Sequence, residues 1–477
     1  MASRETRRGG AARPGVLITA LAAGFVMASL DATVMQVAGA TIQQRLHATL
    51  SQLTWAVDGY VLTFAALLML AGGLAGRVGA RTVYLWGMAV FFVASLASAF
   101  APTIEILVAA RLVQGAGAAL FMPSSLALLV DAFPDRRRRT RVLGIWSAIV
   151  SSALAFGPTI GGVMVDAFGW RSIFLVNLPV GLAGMALTRR FVAPTAGRPT
   201  TLAVPGHVIL IVLLASLSFA LIEGPQRGWT APVVIAATIV TAAAAALLPL
   251  RERRAGTTVM PWRMFREPHF AGANAVGFLF NGSFYGVLFL VGLYFQHARG
   301  ASPLQAGLEI LPLTVFIPLS NMAFSHISAR LSNGPLLITF LLIAAAASFA
   351  LTAISPTTPY WLIALALAVT GIAGGVVSPA MTATLVDAAG PDQGNVAGSV
   401  LNANRQVGTL VGIAGIGALL GATHDWTTGA TASFLVVGVA YLLAAAAAWT
   451  LVTRRPHTPA PAPKSQGTAE LTSESRV

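Results

Sequence analysis

The sequence predicts an all-α membrane protein with fourteen transmembrane helices, and three observations carry that reading. Apolar residues make up 56% of the 477 residues and charged residues only 10%, where a water-soluble domain carries about a quarter charged. So few charges cannot build a water-facing surface, so lipid must solvate most of the chain. Apolar stretches of about 20 residues, enough to cross about 30 Å of hydrocarbon, recur throughout. The basic residues cluster in alternate loops, as the positive-inside rule requires of a multi-pass protein.

In order, the apolar runs fall near 16–38, 53–74, 82–101, 105–129, 141–165, 170–190, 205–223, 230–250, 270–294, 304–324, 335–355, 360–386, 398–420 and 430–452. The opening stretch is polar and arginine-rich and lacks the apolar core and small-residue cleavage site of a signal peptide. The first run is therefore expected to be a retained helix. With fourteen spans and a cytoplasmic N-terminus, 24 basic residues fall on the cytoplasmic side. Four (Arg45, Arg171, Arg227, Arg299) fall outside, and two (Arg111, Arg405) lie within spans. The clusters at Arg136 to Arg139 with Arg141, and at Arg251, Arg253, Arg254, Arg263 and Arg266, read as topology determinants touching anionic lipid. The net charge of +14 thus needs no nucleic acid partner.

Composition also excludes chemistry. There is no cysteine, which removes disulfides and thiolate sites, and Lys464 is the single lysine. A P-loop needs Gly-Lys-Ser/Thr, so no such nucleotide site exists. His207, His269 and His326 lie near helix ends without metal-ligand spacing, so no metal and no cofactor is expected. With no nucleophile–base pair, an enzyme is not expected either.

Two polar segments, 191–204 and 251–269, bracket runs seven and eight. The expected organisation is an N-terminal tail (1–14), a six-helix bundle (15–190), a linker with two extra helices (191–268), a second six-helix bundle (269–453) and a C-terminal tail (454–477), both tails cytoplasmic. The halves echo one another. Ser51 to Asp58 (SQLTWAVD) resembles Ser302 to Glu309 (SPLQAGLE), Leu30-Asp31-Ala32-Thr33 resembles Phe280-Asn281-Gly282-Ser283, and Gln114 to Gly117 aligns with Thr370 to Gly374. Two parallel repeats around a central site is a transporter layout. The two extra helices carry no charge at mid-depth and are expected to be peripheral.

A charge at mid-bilayer is costly and marks function by default. Five residues qualify: Asp31, Asp58, Arg111, Glu309 and Arg405. Helical rise places Asp31 about 22 Å from the inner end of its helix, and Asp58 and Arg111 about 8–9 Å below their outer ends. All three share one height, where an arginine between two carboxylates could neutralise both and either acid could trade a proton for a cationic cargo. The competing reading is a permanent ion pair that only fixes packing. Glu309 either reaches headgroup water or contributes to function. Arg405, beside Asn402, Asn404 and Gln406, suits a cavity wall or interhelical bonding. In run five, Gly157-Pro158-Thr159-Ile160-Gly161-Gly162 predicts a kinked, closely packed segment.

These motifs together resemble the major facilitator superfamily, and within it the fourteen-helix drug:proton antiporters. The stretch Gly73-Leu74-Ala75-Gly76-Arg77-Val78-Gly79-Ala80-Arg81 resembles the superfamily's loop signature. Arg111-Leu112-Val113-Gln114-Gly115-Ala116-Gly117 resembles the helix 4 motif, whose arginine is associated with proton coupling. Gly157, Pro158, Gly161 and Gly162 resemble the antiporter motif, and Leu30-Asp31-Ala32-Thr33-Val34 the helix 1 motif. The segments Gly169 to Gly181 and Leu401 to Gly408 are similar to signatures of the fourteen-helix branch. The wording at Val57 to Tyr60 and Leu293 to Gly300 is similar to exporters of a small antibiotic. The family's loop acid is replaced by Gly76, and its helix 1 asparagine by Gln36.

The resemblance implies a major facilitator fold of two six-helix bundles plus two inserted helices. It implies a proton-coupled exporter of a small, lipophilic, drug-like molecule in the bacterial plasma membrane, working as a monomer by alternating access and conferring resistance. Asp31 and Arg111 would couple protons, with Asp58 as a second acid. Glu309, Arg405, Asn402, Gln36, Gln114 and Asn281 are candidates for cargo contact or gating. The rival readings are a same-fold exporter of another metabolite, lipid or siderophore, and a non-transporting membrane sensor.

Overall fold

The computed structural model describes residues 14–133, 135–197, 203–254, 259–390, 393–423 and 425–453. The sequence's two tails and part of the first polar linker lie outside these. The fourteen expected spans are all present: α1 (Gly15–Arg45), α2 (Leu50–Val78), α3 (Ala80–Ala99), α4 (Ile104–Ala132), α5 (Arg137–Phe168), α6 (Ser172–Phe191), α7 (Val204–Arg227), α8 (Pro232–Arg254), α9 (Pro268–His297), α10 (Pro303–Ser328), α11 (Asn333–Ala353), α12 (Tyr360–Ala389), α13 (Val396–Ala422) and α14 (Trp426–Thr453). Several helices overrun their apolar runs by one or two turns. Polar caps outside the hydrocarbon end them: Thr49 and Gln52 form a capping box at the start of α2, and Asp425 caps α14. Such caps satisfy backbone N–H groups that the helix leaves orphaned.

The packing repeats itself. In the first half α4 packs on α2 and α3, and α1 on α5 and α6; in the second, α12 packs on α10 and α11, and α9 on α13 and α14. Glycines set this spacing. A Cβ on Gly115 of α4 would come within 2.1 Å of the Tyr60 carbonyl on α2, and one on Gly371 of α12 within 2.2 Å of the Leu313 carbonyl on α10. Small residues at the same place in each half thus bring backbones together where lipid offers no hydrophobic drive.

The halves meet along two seams, α2 with α13 and α5 with α10, and α1 also touches α9. The inserted helices are not placed evenly between them. Helix α7 packs on both α2 and α13, so it covers one seam only, and α8 packs mainly on α7.

Candidate functional site

Four helices converge on Asp31. The Arg111 guanidinium forms an ion pair with its carboxylate, both side chains being fully buried. Gln114, one helical turn from Arg111, donates to Asp31 Oδ1 at 3.0 Å and accepts from Arg111 at 2.7 Å. Ser95 of α3 accepts from Gln114 at 2.9 Å. Helix α6 is interrupted at Val176, between Ser172–Leu175 and Asn177–Phe191, and Asn177 then reaches Asp31 and Ser95 at 3.5 and 3.4 Å. Arg111 Nε donates to the Ala56 carbonyl of α2 at 2.9 Å, and its guanidinium lies 4.5 Å from the centre of the Tyr60 ring. Buried charge is tolerated here because both oxygens of the Asp31 carboxylate are hydrogen-bonded, one by Arg111 and the other by Gln114.

The expectation that Arg111 sits between two carboxylates is corrected. Asp58 is fully buried, yet neither of its oxygens has a hydrogen-bond partner among the described residues. The reason is angular. Arg111 meets α2 on the face of Ala56 and Tyr60, whereas a residue two positions from Ala56 is rotated about 200° around the helix. Asp58 shares height with Arg111 but shares its stripe with Ser51 and Trp55. Those two side chains donate to Glu223 of α7 at 3.0 and 2.9 Å. Glu223 had no signal in the sequence, because it sits where the apolar run ends.

Between the halves lies a cavity of about 340 Å³. Its wall includes Phe25, Ser29 and Gln36 from α1, Tyr60 and Phe64 from α2, Arg111 from α4, Trp146 and Ser151 from α5, Tyr285 from α9, Asn321 from α10, and Asn402, Arg405 and Gln406 from α13. No residue of α7 or α8 lines it. Gln36, Arg405 and Asn402 therefore do face a common space. Asn281 stands behind Arg405 and accepts from its Nε at 3.3 Å.

Glu309 does not reach the cavity. It is buried, accepts from Gln305 at 2.8 Å, and its other oxygen has no partner among the described residues. His207 and His269 lie near helix starts and His326 near a helix end, and no metal-binding group is found among the described residues.

Helix α5 joins α1 to α10. A Cβ on Gly157 or Gly161 would strike Thr33 or Val34 of α1, and one on Gly162 would come within 2.6 Å of the Pro303 carbonyl of α10. The Pro158 carbonyl lies against Gly307. Hydrogen bonds crossing between the halves run from Thr159 to the Gly307 carbonyl (3.1 Å), Thr314 to the Ala155 carbonyl (2.7 Å) and Gln296 to the Val37 carbonyl (2.9 Å). Gln296 and Gly307 lie near the ends of α9 and α10 remote from Gly15 and Thr453, and the cavity reaches up to these bonds, since Gln36 and Leu154 of its lining adjoin Val37 and Ala155. Gly76 lies in the last turn of α2, and the α2–α3 junction beside it is held by the linker and by α6: Thr195 of the linker accepts from the Arg81 N–H at 3.0 Å, and Arg81 donates to the Arg189 carbonyl of α6 at 2.7 Å.

Residues 20–413 match the Major Facilitator Superfamily model. The chain is 65% identical over 440 residues to a methylenomycin A resistance protein of Streptomyces coelicolor, covering 92% of this chain and 93% of that one. It is 42% identical to a Bacillus subtilis protein of the same name, covering 91% and 93%. It is 33% identical to a tetracenomycin C resistance and export protein of Streptomyces glaucescens, covering 86% and 76%. The crystal structure of an auto-inhibited POT family peptide transporter shares the fold, with a TM-score of 0.69, 15% identity, and coverage of 94% of this chain and 98% of that one. Fourteen membrane-length helices, halves packed as repeats, a cavity between them and these relatives place the chain in the major facilitator superfamily, with antibiotic-resistance and drug-efflux proteins among its close homologues.

Proposed function

We propose that this protein is a proton-coupled antiporter that exports a small antibiotic across the bacterial plasma membrane and so confers resistance. Relatives named for resistance to methylenomycin A support that kind of cargo. The observation that carries the coupling is the buried Asp31–Arg111–Gln114 cluster beside a cavity between two repeated halves. The distribution of basic residues among the loops supports a cytoplasmic placement of both termini.

Two acids have complementary surroundings. Both oxygens of Asp31 are hydrogen-bonded, one by Arg111 and the other by Gln114. Asp58 has no hydrogen-bond partner among the described residues, and a buried carboxylate without one is far costlier as an anion than as a neutral acid. Asp58 is therefore the second acid that the proposed coupling cycle uses. The partners are protons, a small lipophilic cargo and the bilayer, with no nucleic acid or nucleotide, and the monomer is the working unit. Everted vesicles energised by a proton gradient test the scheme. Adding methylenomycin A should release protons in the wild type and not in Asp31→Asn; coupled flux in that variant would remove Asp31 from the mechanism.

A further inference from the structure

Resting on the reading of this cavity as the cargo site, we infer that it takes an anion, a carboxylate-bearing compound held by Arg405. Two arginines line the cavity, and they differ in kind. Arg111 is neutralised by Asp31. Arg405 forms no ion pair with any described carboxylate, and its one described side-chain bond runs from Nε to the neutral Asn281 amide. Arg405 lines the cavity, and no bond is described from the two terminal nitrogens of its planar fork, the pair that matches a carboxylate bidentately.

Every other lining residue is apolar, aromatic or an uncharged polar group, and no aspartate or glutamate is among them. The site therefore carries one uncompensated positive charge in a medium of low dielectric. A cation brought there meets repulsion with no acid to offset it, while a carboxylate supplies the missing counter-ion. Asn402 and Gln406 stand beside Arg405, and Phe25 and Trp146 form an edge-to-face aromatic pair with centroids 4.5 Å apart. The trade of a proton for a cationic cargo, open from sequence alone, is disfavoured because neither Asp31 nor Asp58 lines the cavity.

The test uses the full chain in nanodiscs and three probes of one shape: 2-naphthoate, 2-naphthamide and 2-naphthylmethylammonium, each titrated calorimetrically. Naphthoate should bind tightest, by about tenfold over the ammonium. Arg405→Gln should weaken naphthoate by about tenfold and leave naphthamide nearly unchanged. Asn281→Asp keeps the arginine and places a counter-ion beside it, so it should produce the same selective loss even if Arg405→Gln fails to fold. Ammonium binding as tightly as naphthoate, no naphthoate binding to the wild type, or unchanged naphthoate affinity in Asn281→Asp would overturn the inference. Binding is read without any gradient, so a failure of proton coupling in vesicles leaves this result standing, and the reverse also holds.

Discussion

The indole of Trp55 on α2 donates a 2.9 Å hydrogen bond to Glu223 on α7, tying an inserted helix to the first half of the transporter. Ser51 donates to the same oxygen and Arg227 pairs with the other at 2.5 Å. One carboxylate therefore fixes where α7 docks beside the α2–α13 seam. Trp55→Phe removes one charge-assisted bond and should cost about 1.5–3 kcal/mol. Glu223→Ala should cost more, because it also strands Ser51 and Trp55. Thermal unfolding in detergent checks both, and equal midpoints for wild type and Glu223→Ala would show that α7 docks by apolar packing alone.

Asp31 and Arg111 separate structure from function in a double-mutant cycle. Removing one partner leaves an uncompensated buried charge, so Asp31→Ala and Arg111→Leu should each destabilise by about 3–5 kcal/mol. Asp31→Asn combined with Arg111→Gln removes both charges and keeps similar shapes. That double variant should recover most of the stability yet remain inactive in transport. Recovery of transport along with stability would reduce the pair to packing.

Gly162 tests the seam between α5 and α10. A methyl group there comes within 2.6 Å of a backbone carbonyl, which cannot swing aside as a side chain would. Gly162→Ala should push the halves apart on the face remote from the termini, at a cost of about 1–3 kcal/mol. A thiol reagent applied from outside should then label a cysteine placed at Gln296 faster than in the unsubstituted background. Unchanged labelling would mean that the seam repacks without opening.

Much of this was legible in the sequence, for physical reasons. Span number and order follow from apolar length, and the pairing of Asp31 with Arg111 follows from depth, since both had to meet a partner at one height. Rotation about the helix axis was not legible. Height put Asp58 beside Arg111, but the facing side of α2 is chosen by which stripe packs on α4, and Asp58 lies on the stripe toward α7. Ser95 and Asn177 were missed as partners of the cluster because a lone serine or asparagine in an apolar run has no spacing signal. Glu309 looked able to reach water from its distance to the helix end; Gln305 and Tyr360 fold over it instead, the latter donating to the Glu309 carbonyl at 3.3 Å.

Asp425, at the mouth of α14, gives a pH-dependent cap. It accepts from the Thr428 N–H at 2.9 Å, and hydrogen bonds from the backbone at Thr428, then Thr427 and Trp426, with the Thr428 hydroxyl, hold its carboxyl below the ordinary value of 3.8. A depressed folded-state value means the cap's contribution is complete above the unfolded value and fades as pH falls through the folded one. Hydrogen exchange in the first turn of α14 should therefore quicken below that range in the wild type. Asp425→Asn keeps a capping oxygen and should show a flat profile there; an identical acid response in both would assign the effect to another group.

The charge of the cargo decides how the exporter is powered. If one proton enters for each molecule exported, a neutral cargo moves one net charge across the membrane per cycle. An anion leaving as the proton enters moves the equivalent of two. Each charge is worth about 2.3 kcal/mol per 100 mV, so the membrane potential would supply twice the drive at the same pH gradient. An arginine without a counter-ion in the cavity thus predicts transport that depends steeply on potential. In proteoliposomes held at a fixed pH difference, a valinomycin-clamped potassium potential should raise 2-naphthoate accumulation along a slope about twice that for 2-naphthamide. Equal slopes for the two probes would mean that the carboxylate crosses protonated, or that its charge is balanced by a second ion.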